Sequence, residues 1–254
     1  MVDWEELTLF LYIAARMSGC VLFNPILARR GIPTRFQAGL IFILSLFVTS
    51  LTRQPLVVPT GWFSLAVRML LEMLVGFFLG MIMSFFFYIP QLAGSAIDTQ
   101  MGMTMAQTYD PGSQANMSVT GNILNVLMML LFFAENGHNT LLRIMLTSGQ
   151  VVPFGSASFG TDALDAMLAI FLECTLLAVK LSMPILAAEL LGQVGMGILM
   201  KVIPQINIFV INIDLKVLIG LGLLMTLIAP FSEYLLQAEV SMLHHMEEML
   251  GLMS

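Results

Sequence analysis

The stretch MLLEMLVGFFLGMIMSFFFYI, residues 69–89, decides the fold. A helix needs about 20 apolar residues to cross the hydrocarbon of a bilayer, and this run supplies them with Glu72 as its only charge. No water in lipid can bond a peptide group. The segment must therefore satisfy its own N–H and C=O groups, which an α-helix does internally. The run is too continuous for a barrel strand, which alternates in polarity and spans about ten residues.

Working outward, five further runs follow the same pattern: residues 7–27, 36–51, 123–134 with its continuation, 166–186 and 217–231. Turn-forming groups separate them, with Gly31-Ile32-Pro33, Pro55 and Pro59, Pro111-Gly112 and Pro153 falling between runs. The chain reads as successive helical hairpins, all-α and membrane-embedded. Runs 36–51 and 123–134 are short for a span, so they borrow flanking turns or lie against protein instead of lipid. Across the 254 residues, 58% are hydrophobic and only 10% charged, with mean hydropathy +0.93. Soluble domains carry about 25% charged residues. No polar block is long enough for a separate soluble domain.

The charges are sparse and informative. A net charge of −6, with ten scattered Lys and Arg residues, speaks against nucleic acid as a partner. Arg29, Arg30 and Arg35 all fall between the first two runs. Positive residues favour the cytoplasmic side of short loops, so that connection is expected inside and both termini outside. Lys201 and Lys216 then also fall inside. Asp3, Glu5 and Glu6 precede the first run where a secretory signal would be basic, so this run is expected to be retained.

Ionisable residues within apolar runs each call for a partner or a wet cavity. Arg68 and Glu72 stand four apart and are expected to pair on one helix face. Glu173 and Lys180 share a side of another helix. Arg16 and Glu189 have no local partner and are expected to meet one across an interface. Gly76 with Gly80, and Ala188 with Gly192, have the small-xxx-small spacing of closely packed helices. Of the 22 methionines, Met101, Met103 and Met105 form a cluster suited either to gap-filling or to a compliant seal. In residues 232–254, Leu235, Leu236, Val240, Leu243 and Met246 fall at helical spacing, with Glu239, Glu247 and Glu248 on other faces. That is the pattern of an amphipathic packing helix.

Catalytic patterns are missing: the sequence has no HExxH, no GxSxG and no phosphate-cradling loop. Cys20 and Cys174 lie in apolar runs as small hydrophobes, and His138, His244 and His245 have no metal-ligand spacing. Neither an enzyme nor a cofactor or metal is indicated.

Four strings carry more than membrane character: AARMSGCVLFNPILARRGIP (14–33), AGSAIDTQMGM (93–103), DPGSQANMS (110–118) and ELLGQVGMGILMKVIPQINIF (189–209). Together they resemble the FliR family of flagellar biosynthesis proteins, related to the T component of injectisomes, along nearly the whole chain. The resemblance implies a non-enzymatic subunit of the type III export gate in the bacterial inner membrane, within the flagellar basal body. Its implied partners are the P and Q components, other export-apparatus membrane proteins and the basal-body membrane ring. Unfolded flagellar subunits would be the cargo. It also implies a P-like part, about 1–165, followed by a Q-like hairpin and C-terminal helix, 166–254, wound into a helical assembly largely above the bilayer.

By the same likeness, residues 107–120 correspond to a segment that helps plug the closed pore, with Tyr109, Asp110, Pro111, Gly112 and Met117 as its candidates. The family's plug is bulky and apolar, whereas this loop is mostly polar. Asp110-Pro111-Gly112 is also turn chemistry in its own right. Glu189, Pro204, Gln205, Asn207 and Phe209 become candidate subunit contacts. A competing reading is a small-molecule or ion transporter with its site at broken helices near Pro184, Gly192 and Gly195.

Overall fold

The computed structural model of the chain describes residues 4–28, 31–52, 61–103, 118–202 and 208–253, with the side chains of 200 and 208–213 outside the description. Among these residues there are eight helices and no strand: α1 (Trp4–Leu22), α2 (Thr34–Leu51), α3 (Trp62–Met101), α4 (Val119–Ala134), α5 (Gly137–Val151), α6 (Thr161–Val202), α7 (Ile208–Thr226) and α8 (Ile228–Leu252). The all-α membrane reading stands.

The count of spans changes. Three helices are long and apolar enough to cross a membrane, and up to five if each of two bent pairs is one span. One pair is α4 with α5, bent by 68°. At that bend Asn136 takes a left-handed φ of 58°, which Asn tolerates better than most residues because its side chain can bond locally. The other is the α7–α8 pair, bent by 62°. The first of the six expected runs does not qualify. Helix α1 carries Glu5, Glu6 and Arg16 within 19 residues, and it buries one face, including Tyr12, Ile13, Arg16, Met17 and Cys20, within the protein. Its apolar residues are committed to packing more than to lipid.

Helices α3 and α6 are 40 and 42 residues long. Each continues through an internal proline, Pro90 and Pro184 respectively. A proline normally breaks a soluble helix, but membrane-type helices accommodate it where neighbouring groups satisfy the freed carbonyl.

The chain divides into two compact units, neither contiguous in sequence. The first comprises Met1–Phe86, Asn136–Leu172 and Glu239–Ser254. Here α1 and α3 run parallel in a register of 56 residues, set by Arg16 against Glu72. Gly19 meets Gly76 backbone to backbone, and Phe23 lies over Gly80. The GxxxG step thus serves an intrachain contact. Helix α2 returns antiparallel: Gln37 Nε2 donates to the Leu27 carbonyl at 3.1 Å, and the Phe10 and Phe42 rings meet edge to face at 6.1 Å. A side chain at Gly76 would overlap the Arg16 carbonyl and crowd the Cys20 amide. Gly76→Val is therefore expected to destabilise the chain by about 1–3 kcal/mol, read as a lower thermal midpoint in detergent, while Val at the open Gly192 leaves the midpoint unchanged.

The second unit comprises Phe87–Glu135 and Glu173–Ala238. The backbones of Gly94 and Gly121 touch, seating the start of α4 on α3. Phe87 and Phe132 pack edge to face at 5.8 Å, and the Tyr234 hydroxyl donates to the Leu177 carbonyl at 3.2 Å.

Helix α8 is formed as expected but its buried stripe is rotated. Leu235, Met242, Met246 and Met249 are buried, Val240 is exposed, and Glu239 is buried at 4% exposure. Unbranched methionine fills this irregular face where the pattern had pointed to Val240.

Candidate functional site

Two polar clusters stand out, one in each unit. The first surrounds Arg16, whose side chain is 1% exposed. Its Nε donates to Glu72 Oε2 at 2.6 Å, and its Nη2 lies 2.6 Å from the same oxygen. Nη1 donates to the Val152 carbonyl at 3.0 Å and to Ser148 Oγ at 3.3 Å. The guanidinium also stacks over the Phe154 ring, 4.3 Å from its centroid. The second carboxylate oxygen, Glu72 Oε1, accepts from the Gly155 amide at 2.7 Å. Gly155 adopts φ +85°, a conformation that excludes most side chains, and a Cβ there would crowd the Tyr12 ring.

This arrangement corrects the expected pairing of Arg68 with Glu72. The i, i+4 spacing puts both on one face, but Glu72 turns to the neighbouring helix and forms its ion pair with Arg16. A fully buried guanidinium needs a carboxylate far more than Arg68 does. Arg68 lies beside Tyr12 and Gly155. Arg16, expected to meet a partner across an interface, finds it in Glu72 on the neighbouring helix of its own chain.

The second cluster closes the ends of the segment between α3 and α4. Ser118 caps α4 by accepting from the Gly121 amide at 2.8 Å, and its hydroxyl donates to Asp98 Oδ2 at 2.7 Å. The Thr120 amide points at the same carboxylate, 3.3 Å from Oδ2. Asp98 is 1% exposed. This closure was missed from sequence, although Ser118 directly ahead of an apolar run is a helix-start signal. Asp98 gave no such signal, because its partner is 20 residues away.

The remaining candidates are distributed as follows. Met101 is fully buried and packs against Gly220, while Met103 is half-buried. Met105, Tyr109, Asp110, Pro111, Gly112, Met117, Pro204, Gln205 and Asn207 lie outside the described residues, as does the side chain of Phe209. Glu189 is 1% exposed. Its Oε1 has no hydrogen-bond partner among the described residues, and Lys216 on α7 is the cation that acts on it. In both clusters a buried charge is met by groups of its own unit, Arg16 by Glu72 and Asp98 by Ser118 and the Thr120 amide, although Tyr12 Oη and Thr120 Oγ1 have no hydrogen-bond partner among the described residues; the chemistry is that of positioning helices.

Comparison with known proteins adds to this geometry. The family described as bacterial export proteins, family 1, matches residues 7–241. The flagellar biosynthetic protein FliR of Escherichia coli K12 is 30% identical over 209 residues, covering 82% of this chain and 80% of that protein. FliR of Bacillus subtilis 168 is 29% identical, covering 82% and 81%. The Yop proteins translocation protein T of Yersinia pestis is 25% identical, covering 84% and 82%.

Proposed function

Because the chain belongs to the bacterial export proteins, family 1, we propose that it is a structural subunit of the flagellar type III export gate. In this reading it lies in the bacterial inner membrane within the basal body and helps form the pore through which unfolded flagellar subunits pass. Its partners are the P and Q components, with the other export-apparatus membrane proteins and the basal-body ring around them. FliR relatives are 23–30% identical to this chain and injectisome relatives 25–28%, so the flagellar reading leans on three FliR matches of 29–30% identity that each cover at least 82% of the chain.

One observation carries the assembly part of this reading. Helices α3 and α6, at 40 and 42 residues, extend about 60 Å, twice the roughly 30 Å of bilayer hydrocarbon. Yet α6 presents large apolar side chains outward near both ends, among them Leu164, Leu168, Val194, Ile198 and Val202. Lipid can cover only half such a face, and partner helices would cover the rest. Residues 1–165 would then supply the P-like part and 166–254 the Q-like part. Glu189, Pro204, Gln205, Asn207 and Phe209 would contribute to subunit contacts. Residues 107–120 would plug the closed pore, with Met101, Met103 and Met105 as a compliant seal at its approach.

The transporter alternative required broken helices near Pro184, Gly192 and Gly195. Helix α6 runs unbroken from Thr161 to Val202, so that reading loses its site. Deletion of the gene is expected to abolish flagella and the secretion of flagellar subunits, with both restored by the intact gene, and the tagged chain should co-purify with P and Q components. Normal motility and secretion after deletion would refute the proposal.

A further inference from the structure

Lys180 is the middle residue of the 39-residue stretch Thr161–Leu199, the part of α6 apolar enough to cross a membrane. Any window of about 20 residues within that stretch, the length a bilayer takes up, therefore contains Lys180. Its side chain is exposed, and so are Leu176, Val179 and Met183 around it. Lys180 forms no ion pair among the described residues. Glu173, on the same side of the helix, stands about 10 Å away along the axis and is half-buried.

An ammonium in hydrocarbon is costly, and lysines at such depth face the interior of a bundle or pair with another group. Near the edge of the hydrocarbon a lysine can instead extend its stem to the headgroups. For Lys180 that requires the bilayer to cover only one half of the stretch. Covering 161–180 leaves Leu190, Leu191, Val194 and Ile198 exposed outside lipid, and covering 180–199 leaves Leu164, Leu168, Leu172 and Leu176 so. Either way an apolar row with Lys180 at its edge is left for a protein to cover. Centring the bilayer on Lys180 puts the charge itself in hydrocarbon.

We infer that the face of α6 around Lys180 receives a helix of another gate subunit, apolar in its flanks and carrying an Asp or Glu at the level of Lys180. Leu176 and Met183, one turn to either side, supply the apolar contact, and the partner supplies the carboxylate that this chain does not. A single ion pair shielded by those side chains fixes the register of the two helices. It also rejects a helix with a basic residue at that level, since like charges would then meet away from water. The occupant is sought among gate components because of the function proposed above, whereas the need of Lys180 for a carboxylate stands without it.

In cells, photo-crosslinking residues at Leu176 and at Met183 are expected to form adducts with one gate component, in a segment where an Asp or Glu lies within one turn of the crosslinked residue. Lys180→Glu should lower the amount of this chain recovered with that component about tenfold or more, because two carboxylates then face each other, while Lys180→Arg retains it. Exchanging the partner's carboxylate for Lys in the Lys180→Glu background should restore recovery. Purified alone in detergent, the Lys180→Glu chain should keep the parental thermal midpoint, since the side chain is exposed and without an ion pair in the chain itself. A midpoint lowered in both the Lys180→Glu and the Lys180→Met chain would place the role of Lys180 inside its own fold and overturn the inference. So would adducts with lipid alone or with a second copy of this chain, or undiminished recovery of Lys180→Glu. Adducts with an acidic helix of a protein outside the export apparatus, with recovery restored by the same exchange, would uphold the ion pair and overturn the gate reading.

Discussion

Glu72→Ala is expected to destabilise the chain by about 3–5 kcal/mol, the usual consequence of leaving a buried charge without its partner. The guanidinium of Arg16 cannot turn to water, because its side chain is 1% exposed, and neither Ser148 nor the Val152 carbonyl carries a compensating charge. The variant should accumulate poorly in membranes and fail to enter the assembly. Replacing both partners, Arg16→Met with Glu72→Leu, should recover much of the loss, since a buried pair exchanged for apolar groups of similar volume is often neutral. Arg68→Ala should be milder than either single change. The coupling between Arg16 and Glu72 in a double-mutant cycle measures the pair directly. Additive losses for these two, or strong coupling of Glu72 to Arg68 instead, would contradict the geometry.

The second large effect concerns the segment between α3 and α4. Removing residues 109–117 leaves the Asp98–Ser118 bond and the helix cap of Ser118 in place, so α4 retains its start. Under the plug proposal the assembled gate should then conduct ions without substrate, seen as a collapsed membrane potential and slowed growth. Asp98→Ala should have a weaker effect in the same direction, because the ends of the segment lose their tie while its residues remain. Unchanged ion permeability in a correctly assembled deletion variant would rule out a plug at this place.

How far the sequence spoke for the fold depends on the range of each interaction. Helical character was legible in runs such as 69–89 because hydrophobic continuity is a local property, and the short run 123–134 rightly asked for a continuation, which α5 provides beyond a 68° bend. Proline at 184 and glycine at 192 gave a weaker guide. They suggested a break, but α6 runs through both positions without one. The charge pairing was misread for a related reason. Spacing can only nominate Arg68 for Glu72, while the partner chosen stands 56 residues away on a parallel helix. Gly76 was legible as a close-packing site, but that α1 covers it became visible only with Gly19 in contact. Asp98 carried no local signal at all, because its partner Ser118 lies 20 residues away.

As part of the wall of a protein-conducting pore, this chain should touch its cargo. With a photo-crosslinking residue at Met103, at the end of α3, in cells whose export is stalled by a flagellar substrate carrying a tightly folded C-terminal block, a covalent adduct between this chain and the stalled substrate is expected, lost when the substrate is absent. Adducts with lipid or gate partners alone, while the same stalled substrate crosslinks elsewhere in the gate, would contradict it.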